Sequence, residues 1–393
     1  MNRFCSIFNQ LLQLFSRTQF QQTVRDYGAE RHAKGFACWD QFVSMLFCQL
    51  GRAHSLREIC GGLASCEGKL AHLGIQSPRR STLAYANAHR PWQLYQKIFY
   101  QLLDRCREVA GSRRPFRFKN KLVSLDATVI DLCAQVFNWA QFVRTKGAVK
   151  LHLLLDHDGY LPSFAVITQG RVHEIRVARK LRLDPGTIVV FDRGYLDYDW
   201  LDQLTDQGVF FVTRAKEGLV YQLEQDIPVQ PGRGEIRHQL IYLGKDDSRT
   251  LVRRIELIVE GFDQPLVFLT NHPTFAPSTI AAIYKERWQI ELFFKALKQN
   301  LKIKTFVGTS ANALKLQIWT ALIAMLLLRY LQLKSSWKWS LSNLVALLRM
   351  NLFVHRDLWA WIDNPFASPP LLPQPVQGVL DLFSLDSRLE AWT

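Results

Sequence analysis

Three acidic residues lie in contexts that suit metal-dependent phosphoryl transfer. Asp126 is in the strand-like run of residues 123–128, and Asp192 ends the apolar run of residues 188–191. A carboxylate at the end of a buried strand projects into the crevice where open α/β sheets bind ligands. Glu291 lies on a predicted helix, so two strands and a helix would supply oxygen ligands for two Mg²⁺, with Mn²⁺ as a substitute. Taken alone, each aspartate could equally be a turn or cap residue.

Four side chains would share one face of that predicted helix, which covers residues 279–301. Tyr284, Arg287, Glu291 and Lys298 follow one another at steps of three, four and seven residues, which return to nearly the same side at 3.6 residues per turn. Cations beside a metal-binding carboxylate suit a DNA phosphate. A solvated helix face with i,i+4 ion pairs has the same spacing, so the stripe alone leaves both interpretations open.

The chain is basic, which favours a polyanionic partner. It has 49 Lys and Arg against 34 Asp and Glu, a net charge of +15 over 393 residues, and nucleic acid is the commonest partner of such proteins. Trp288 is expected to pack rather than to stack on a base, and Lys150 and His152 suit either DNA or a strand surface. The further candidates for DNA contact are Arg193, Arg214, Lys216, Arg79, Arg80 and Arg90.

The elements that must position these residues fall into four segments. Residues 1–110 predict short helices joined by turns, with a capping box at Ser55 and Glu58, which suggests a helix-turn-helix-like DNA-binding domain. A plain helical bundle has the same pattern. Residues 111–121 form a basic linker. Strands and helices then alternate, with a hairpin across Asp158-Gly159, and residues 217–272 alternate polar and apolar as antiparallel strands do.

The last segment is helical and then Pro-rich. Residues 311–333 predict a very apolar helix whose continuous apolar stretch, residues 318–328, is too short for a bilayer, so we expect a buried core helix and no membrane partner. Residues 363–377 are expected to be irregular. Seven cysteines without a CxxC pattern predict free thiols in a reducing compartment, the cytoplasm, with nucleoid association when DNA is bound.

The combined motifs resemble those of one family, the DDE transposases of the IS-four group of insertion sequences. Tyr-x2-Arg-x3-Glu-x6-Lys, with Trp288 directly after the arginine, is similar to the signature of that group. Asp126-Ala127-Thr128 and Asp192-Arg193-Gly194-Tyr195 resemble its two aspartate motifs, and residues 211–216 resemble the strand that follows. Residues 55–58 and 80–83 resemble the leading domain of one branch, so the resemblance covers residues 1 to about 330.

This resemblance implies an α/β fold with an RNase H-like mixed sheet flanked by helices, an inserted antiparallel β region and an all-helical N-terminal domain. The implied boundaries are 1–110, 111–121, 122–333 with the insertion at about 217–272, and 334–393. In a related enzyme a tryptophan of the insertion flips a base. Residues 217–272 contain no tryptophan, so Phe262 or Phe268 could take that role.

The implied activity is cut-and-paste transposition on double-stranded DNA, namely terminal inverted repeats and target DNA, by a homodimer in the DNA complex. Tyr284, Arg287 and Lys298 would hold the 5′ phosphate side of the cleaved end. A catalytically inactive end-binding protein is one alternative, but the three intact carboxylates argue against it. A stand-alone RNase H-like nuclease is another, which the helical leading region and the Tyr-Arg-Glu-Lys stripe disfavour. We predict that Asp126, Asp192 and Glu291 converge within a few ångströms.

Overall fold

The N-terminal region is helical, as predicted. The computed structural model describes residues 5–31, 33, 35–111, 115–133, 137, 139, 141–143, 146–229, 234–244, 251–303 and 305–367. The Ser55 hydroxyl caps α4 by accepting from the backbone N–H of Glu58, as predicted, but the Glu58 carboxylate accepts from the N–H of His54 and not from that of Ser55, so the reciprocal half of the capping box is absent there. The helices are α1 Ile7–Leu12, α2 Arg17–Asp26, α3 Cys38–Leu50, α4 Leu56–Ala64, α5 Glu67–Leu70, α6 Arg80–His89 and α7 Gln93–Ala110.

A mixed sheet follows, with parallel strands at its centre. β1 pairs in parallel with β5, and β5 with β6, whereas β1, β3 and β4 pair antiparallel. The predicted hairpin across Asp158-Gly159 joins β3 and β4, and Gly159 has a φ of 80°. The elements are β1 Leu122–Cys133, β2 Gln141–Val143, β3 Lys146–Asp156, β4 Leu161–Gln169, α8 Ile175–Ala178, β5 Ile188–Phe191, α9 Tyr198–Asp206 and β6 Phe210–Arg214.

The inserted strands extend this sheet instead of forming a separate one. β7 Tyr221–Asp226, β8 Glu235–Leu243, β9 Leu251–Leu257 and β10 Leu266–Thr270 pair antiparallel, and β10 pairs with β6. The sheet therefore has ten strands in the order β2-β3-β1-β5-β6-β10-β9-β8-β7, with β4 on β3. Residues 231–232 and 245–247, whose types are typical of turns, lie outside the described residues. The prediction of a mixed sheet flanked by helices is confirmed.

The helix predicted over residues 279–301 is in fact two helices. α10 Pro277–Glu286 and α11 Trp288–Asn300 meet at Arg287. There the Arg287 N–H donates to the Tyr284 carbonyl and the Ile290 N–H to the Arg287 carbonyl, both at i,i+3 spacing, so the helix tightens for one turn. Neither proline nor glycine marks the junction, which is why the sequence pattern missed it. α12 Ala311–Lys334, α13 Leu341–Asn351 and α14 Leu358–Asp363 follow.

Helix α12 is the centre of the largest hydrophobic core. It is 24 residues long and by length and composition alone could cross a membrane, but 83% of its most apolar window is buried inside the protein, as expected of a core helix. Trp319 of α12 packs edge-on against Phe99 of α7 at 5.2 Å. Because the N-terminal helices share this core with α12 and with β3, a fragment ending at residue 110 would expose much of it. The boundary at 110 stays a prediction.

Candidate active site

Strands β1 and β5 bring Asp126 and Asp192 to the same edge of the sheet. The parallel register pairs Leu125 with Phe191, so the next residue of each strand is an aspartate, side by side with the other. Both side chains point to the face on which α11 packs against β1, because side chains alternate along a strand. Glu291 lies in the first turn of α11. The structure thus places the three predicted carboxylates on neighbouring elements, and their convergence within a few ångströms stays a prediction.

Burial and neighbouring charge perturb Asp126 strongly. Burial raises the pKa of its carboxyl to about 7; the backbone N–H of Ala127, 2.7 Å from Oδ1, opposes this rise, whereas the charges of Asp192 and Glu291 add to it. Arg287 lowers the pKa in turn. The carboxyl of Asp126 therefore lies within electrostatic reach of Asp192, Glu291 and Arg287.

The other two carboxylates are held by neighbours in sequence. Asp192 Oδ1 accepts from the backbone N–H of Gly194 at 2.7 Å. A Cβ on residue 194 would lie 2.8 Å from that oxygen, so a side chain there would displace the carboxylate from this position. Glu291 Oε1 accepts from Arg287 Nη2 at 2.6 Å. The sequence pattern indicated Asp192 and Arg287, but it gave no structural reason for the glycine.

These residues fit a divalent metal by the chemistry of their donors. Within the described part of the chain, no group of three or more acidic, His or Cys side chains is arranged closely enough to hold a metal as it stands. Three carboxylates are nevertheless the hard oxygen ligands that Mg²⁺ and Mn²⁺ prefer. Asp126 is largely buried among like charges, which a cation would compensate.

In metal-free buffer, we expect Asp126→Asn to stabilise the protein, and more so near pH 8 than near pH 5. The folded pKa of about 7 lies above the ordinary 3.8, so the folded state holds the proton more tightly and loses stability as the pH rises between these values. Asparagine carries no charge and escapes that loss. Melting temperatures in EDTA at the two pH values measure this, and equal shifts at both would contradict it.

Two arginines present buried donors beside the carboxylates. Arg214 ends β6, next to Asp192 in the register that pairs Val190 with Val212. Within the described structure, the Nε atoms of Arg214 and Arg287 are buried without a hydrogen-bond partner. Burial raises the pKa of the Tyr284 hydroxyl, and the charges of Arg287 and Arg214 oppose that rise. Tyr284, Arg287 and Arg214 therefore lie together at the carboxylate edge.

The remaining basic candidates lie farther from the carboxylates or have intramolecular partners. Lys298 Nζ donates to the Val129 carbonyl at 2.8 Å, and Lys216 Nζ to that of Leu196 at 3.3 Å. Arg193 lies 3.9 Å from Glu217. Arg90 donates to the carbonyl oxygens of Phe36 and Ala37, so it holds the helical region together. Arg79 and Arg80 are exposed at the start of α6, away from the carboxylates.

The structure corrects expectations for several aromatic and strand residues. Trp288, predicted to pack, is 55% exposed, because the break at Arg287 places it at the outer start of α11. Phe268 is buried and packs on Tyr284 at 5.4 Å, which leaves Phe262, 53% exposed, as the accessible phenylalanine of the pair. Lys150 pairs with Glu174, and His152 is buried against Thr168, so both have partners within the fold.

Known proteins similar to this chain are transposases. The Transposase DDE domain family matches residues 117–327, and a domain of unknown function (DUF4372) matches residues 5–76. A putative transposase y4zB of Sinorhizobium fredii (strain NBRC 101917 / NGR234) is 33% identical over 327 residues, 80% of this chain and 88% of that protein. A probable transposase for insertion sequence element IS5377 of Geobacillus stearothermophilus is 25% identical over 334 residues, 84% and 86% of the two chains. A solved piggyBac transposase synaptic complex with hairpin DNA covers 92% of this chain and 82% of that one, with a TM-score of 0.48 and 8% identity.

Proposed function

This chain belongs to the DDE transposase family, whose members cut and rejoin DNA with a divalent metal, and we propose that Asp126, Asp192 and Glu291 are its catalytic carboxylates. The observation that carries the proposal is the register of β1 and β5, which sets the two aspartates side by side opposite Glu291 of α11. The proposed metal is Mg²⁺, two ions, with Mn²⁺ as a substitute.

The three carboxylates would share the metals between them. When bound there, Mg²⁺ lowers the pKa of the attacking water or 3′ hydroxyl and stabilises the leaving oxygen. Gly194 keeps Asp192 Oδ1 at the edge of the sheet, and Ala127 N–H orients Asp126 Oδ1. The backbone N–H groups thus hold the two aspartates before DNA arrives, and Glu291 would complete the set when it leaves Arg287.

The arginines would hold the phosphates of the transposon end. Without DNA, the Arg287 guanidinium donates to Glu291 Oε1. A metal bound by Glu291 would free the guanidinium to donate to a phosphate oxygen. The buried Nε of Arg214, next to Asp192, would also donate to a phosphate oxygen. Tyr284 lies with them, and Lys298, Lys216 and Arg193 would contact phosphates farther along the end.

The helical region offers a second basic surface for terminal-repeat DNA. A groove of about 570 Å³ between the starts of α4 and α6 is lined by His54, Arg57, Arg80 and Ser81, among others. On the same helix as Arg80, Tyr85 is 67% exposed and stacks on His89 at 4.0 Å. Cations with hydroxyl and aromatic groups beside them are what DNA-binding helices present. We propose that this groove, with Arg79 next to it, binds the inverted repeats.

We expect the double variant Arg57→Ala, Arg80→Ala to bind end DNA about tenfold or more weakly, because two phosphate contacts are lost. The salt dependence, log K against log salt, should flatten by about one for each arginine. The measurement is fluorescence anisotropy of a labelled duplex from the DNA that flanks the gene, at several NaCl concentrations. Arg107→Ala is the control for the loss of one arginine charge outside the groove, since Arg107 is exposed and paired with Asp104. Equal slopes for the double variant and the wild type would contradict the proposal.

Assembly and location follow from the same proposal. Two ends must be held together for one excision, which favours a two-fold symmetric homodimer in the DNA complex. The seven cysteines are free, which supports a reducing compartment, the cytoplasm, with the protein on the nucleoid when it binds DNA.

The test of the function is excision in vitro. Full-length protein with MgCl₂ is incubated with a supercoiled plasmid that carries the gene and its flanking DNA. We expect a linear fragment bounded by the terminal repeats and its insertion into a second plasmid. DNA that is bound but stays uncut in both MgCl₂ and MnCl₂ would instead identify an end-binding protein.

A further inference from the structure

A line of close polar contacts connects the strand of Asp126 to the helix end beside Arg287. Ser124 Oγ lies 2.7 Å from His157 Nε2, and both residues are fully buried. His157 Nδ1 lies 3.5 Å from Glu286 Oε2, and the Tyr160 hydroxyl donates to the same oxygen at 3.1 Å. Each contact joins a different element: β1, the β3–β4 turn and the last residue of α10.

The order Ser–His–Glu does not make this a nucleophilic site. Ser124 and His157 are 0% exposed, so no substrate carbonyl or phosphate could reach the hydroxyl. The network instead fixes positions: the contacts of His157 and Tyr160 lower the pKa of the Glu286 carboxyl and keep it ionised at the end of α10. Among the described residues, His157 Nδ1 does not make a hydrogen bond of good geometry, so its contact with Glu286 at 3.5 Å is an ion-pair approach, and the Ser124 and Tyr160 hydrogen bonds are what tie the three elements together.

The turn that carries this network is itself strained. Tyr160 has a φ of 54°, in the left-handed region that a bulky residue rarely adopts. Its ring packs at 5.5 Å from that of His157 and lies 5.7 Å from the guanidinium of Arg329 on α12. Such a conformation is unfavourable and persists only where the surroundings hold it. The contacts of Tyr160 with Glu286, His157 and Arg329 are what hold it here.

Both ends of the network are next to the reacting groups. Ser124 is two residues before Asp126 on the same face of β1, and Glu286 directly precedes Arg287, whose guanidinium holds Glu291. We propose that His157 and Glu286 are positioning residues for DNA cleavage, which set the end of α10, and with it Arg287 and Glu291, at a fixed distance from Asp126. This inference rests on the proposed function of the three carboxylates.

The test compares this pair with a second buried His–Glu pair in the same chain. His238 Nδ1 lies 3.0 Å from Glu235 Oε1 in β8, and neither side chain is more than 8% exposed. Full-length His157→Asn and His238→Asn proteins are compared in nicking of the supercoiled plasmid with MnCl₂, at a temperature where both are folded by circular dichroism. We expect kcat of His157→Asn to fall about tenfold to a hundredfold with the plasmid KM within about twofold, because small displacements of reacting groups cost this much. His238→Asn should stay within about twofold of wild type.

A double variant and a metal titration complete the test. If the two residues act through one link, His157→Asn, Glu286→Gln should lose no more than the worse single variant. Thermal-shift titration with MnCl₂ should show a higher midpoint for His157→Asn and an unchanged one for His238→Asn. Equal losses in the two histidine variants, or losses that multiply in the double variant, would overturn the proposal.

The outcomes also separate this inference from the proposed function. If the wild type nicks no plasmid, the proposed function fails. The MnCl₂ midpoint of His157→Asn then tests the positioning role by itself: a shift from wild type supports that role, and an unshifted midpoint overturns it. If His157→Asn does not fold, Ser124→Ala takes its place in both assays, because it removes one hydroxyl from the same network. We then expect a lower kcat of nicking and a higher MnCl₂ midpoint for Ser124→Ala.

Discussion

Asp126→Asn is expected to lower the rate of DNA cleavage by about 10³-fold or more while end DNA still binds. The variant would lose one of the three proposed metal ligands, and a lost metal contact of several kcal/mol corresponds to that factor. Asp192→Asn and Glu291→Gln should behave alike, because each removes one of three shared ligands. The measurement is single-turnover nicking of the plasmid in MgCl₂, with anisotropy to follow DNA binding.

An exposed aspartate serves as the control for this series. Asp104 is exposed in α7 and paired with Arg107, and Asp104→Asn should cleave at the wild-type rate. Because each amide side chain also removes a negative charge that repels the DNA phosphates, the three variants should bind DNA as well as wild type or slightly better. Residual cleavage within about tenfold of wild type in any of the three would remove that residue from the catalytic set.

Arg287→Ala is expected to slow strand transfer by about 10²-fold and first-strand nicking much less. The guanidinium would grip the phosphate of the cleaved end with two parallel hydrogen bonds and offset charge on the reacting phosphodiester, and the loss of such a donor costs this much. First-strand nicking depends mainly on the attacking water and on the carboxylates, so the loss of Arg287 should slow it less. Rates on intact and pre-nicked ends, measured side by side, separate the two steps.

A paired surface arginine is the matched control for this variant. Arg179 forms ion pairs with Asp197 and Asp199, so Arg179→Ala removes an arginine that is also held by carboxylates but is exposed. Its expected effect on either step is small. Equal losses of rate at both steps in Arg287→Ala would show that the residue acts only by holding Glu291. No loss at either step would contradict the proposal that Arg287 binds the phosphate of the cleaved end.

The sequence located the carboxylates because local patterns determine where they lie. An acid at the end of a buried apolar run is visible in one strand, and the spacing of Arg287 and Glu291 is visible in one helix, so neither needed tertiary information. That the two aspartates are neighbours follows from the parallel pairing of β1 and β5, which joins residues 66 positions apart and leaves no local signal.

Other features of the site depend on contacts between distant segments. The break at Arg287 has no Gly or Pro to mark it, and Glu286 at that break is held by His157 from 129 positions earlier in the chain. Arg90 looked like a DNA contact in sequence, but the carbonyl groups of Phe36 and Ala37 take its donors. A charged residue near other charged residues is therefore a weak indication of a ligand when backbone carbonyls need partners.

The extent of the sheet and the core was also beyond local patterns. Alternating residues 217–272 predicted antiparallel strands correctly, but only the pairing of β10 with β6 makes them part of one sheet. The apolar character of α12 predicted burial, yet not that the N-terminal helices bury it. Shared cores of this kind are set by side-chain volumes across many elements.

The most direct test of the carboxylate assignment is a crystal structure of the protein with pre-cleaved end DNA and Mn²⁺, with anomalous scattering to locate the metal. We predict two Mn²⁺ about 3.5–4 Å apart, bound by oxygens of Asp126, Asp192 and Glu291, with Arg287 moved from Glu291 onto a phosphate. Mn²⁺ bound elsewhere, or Glu291 still paired with Arg287 and far from any metal, would contradict the account.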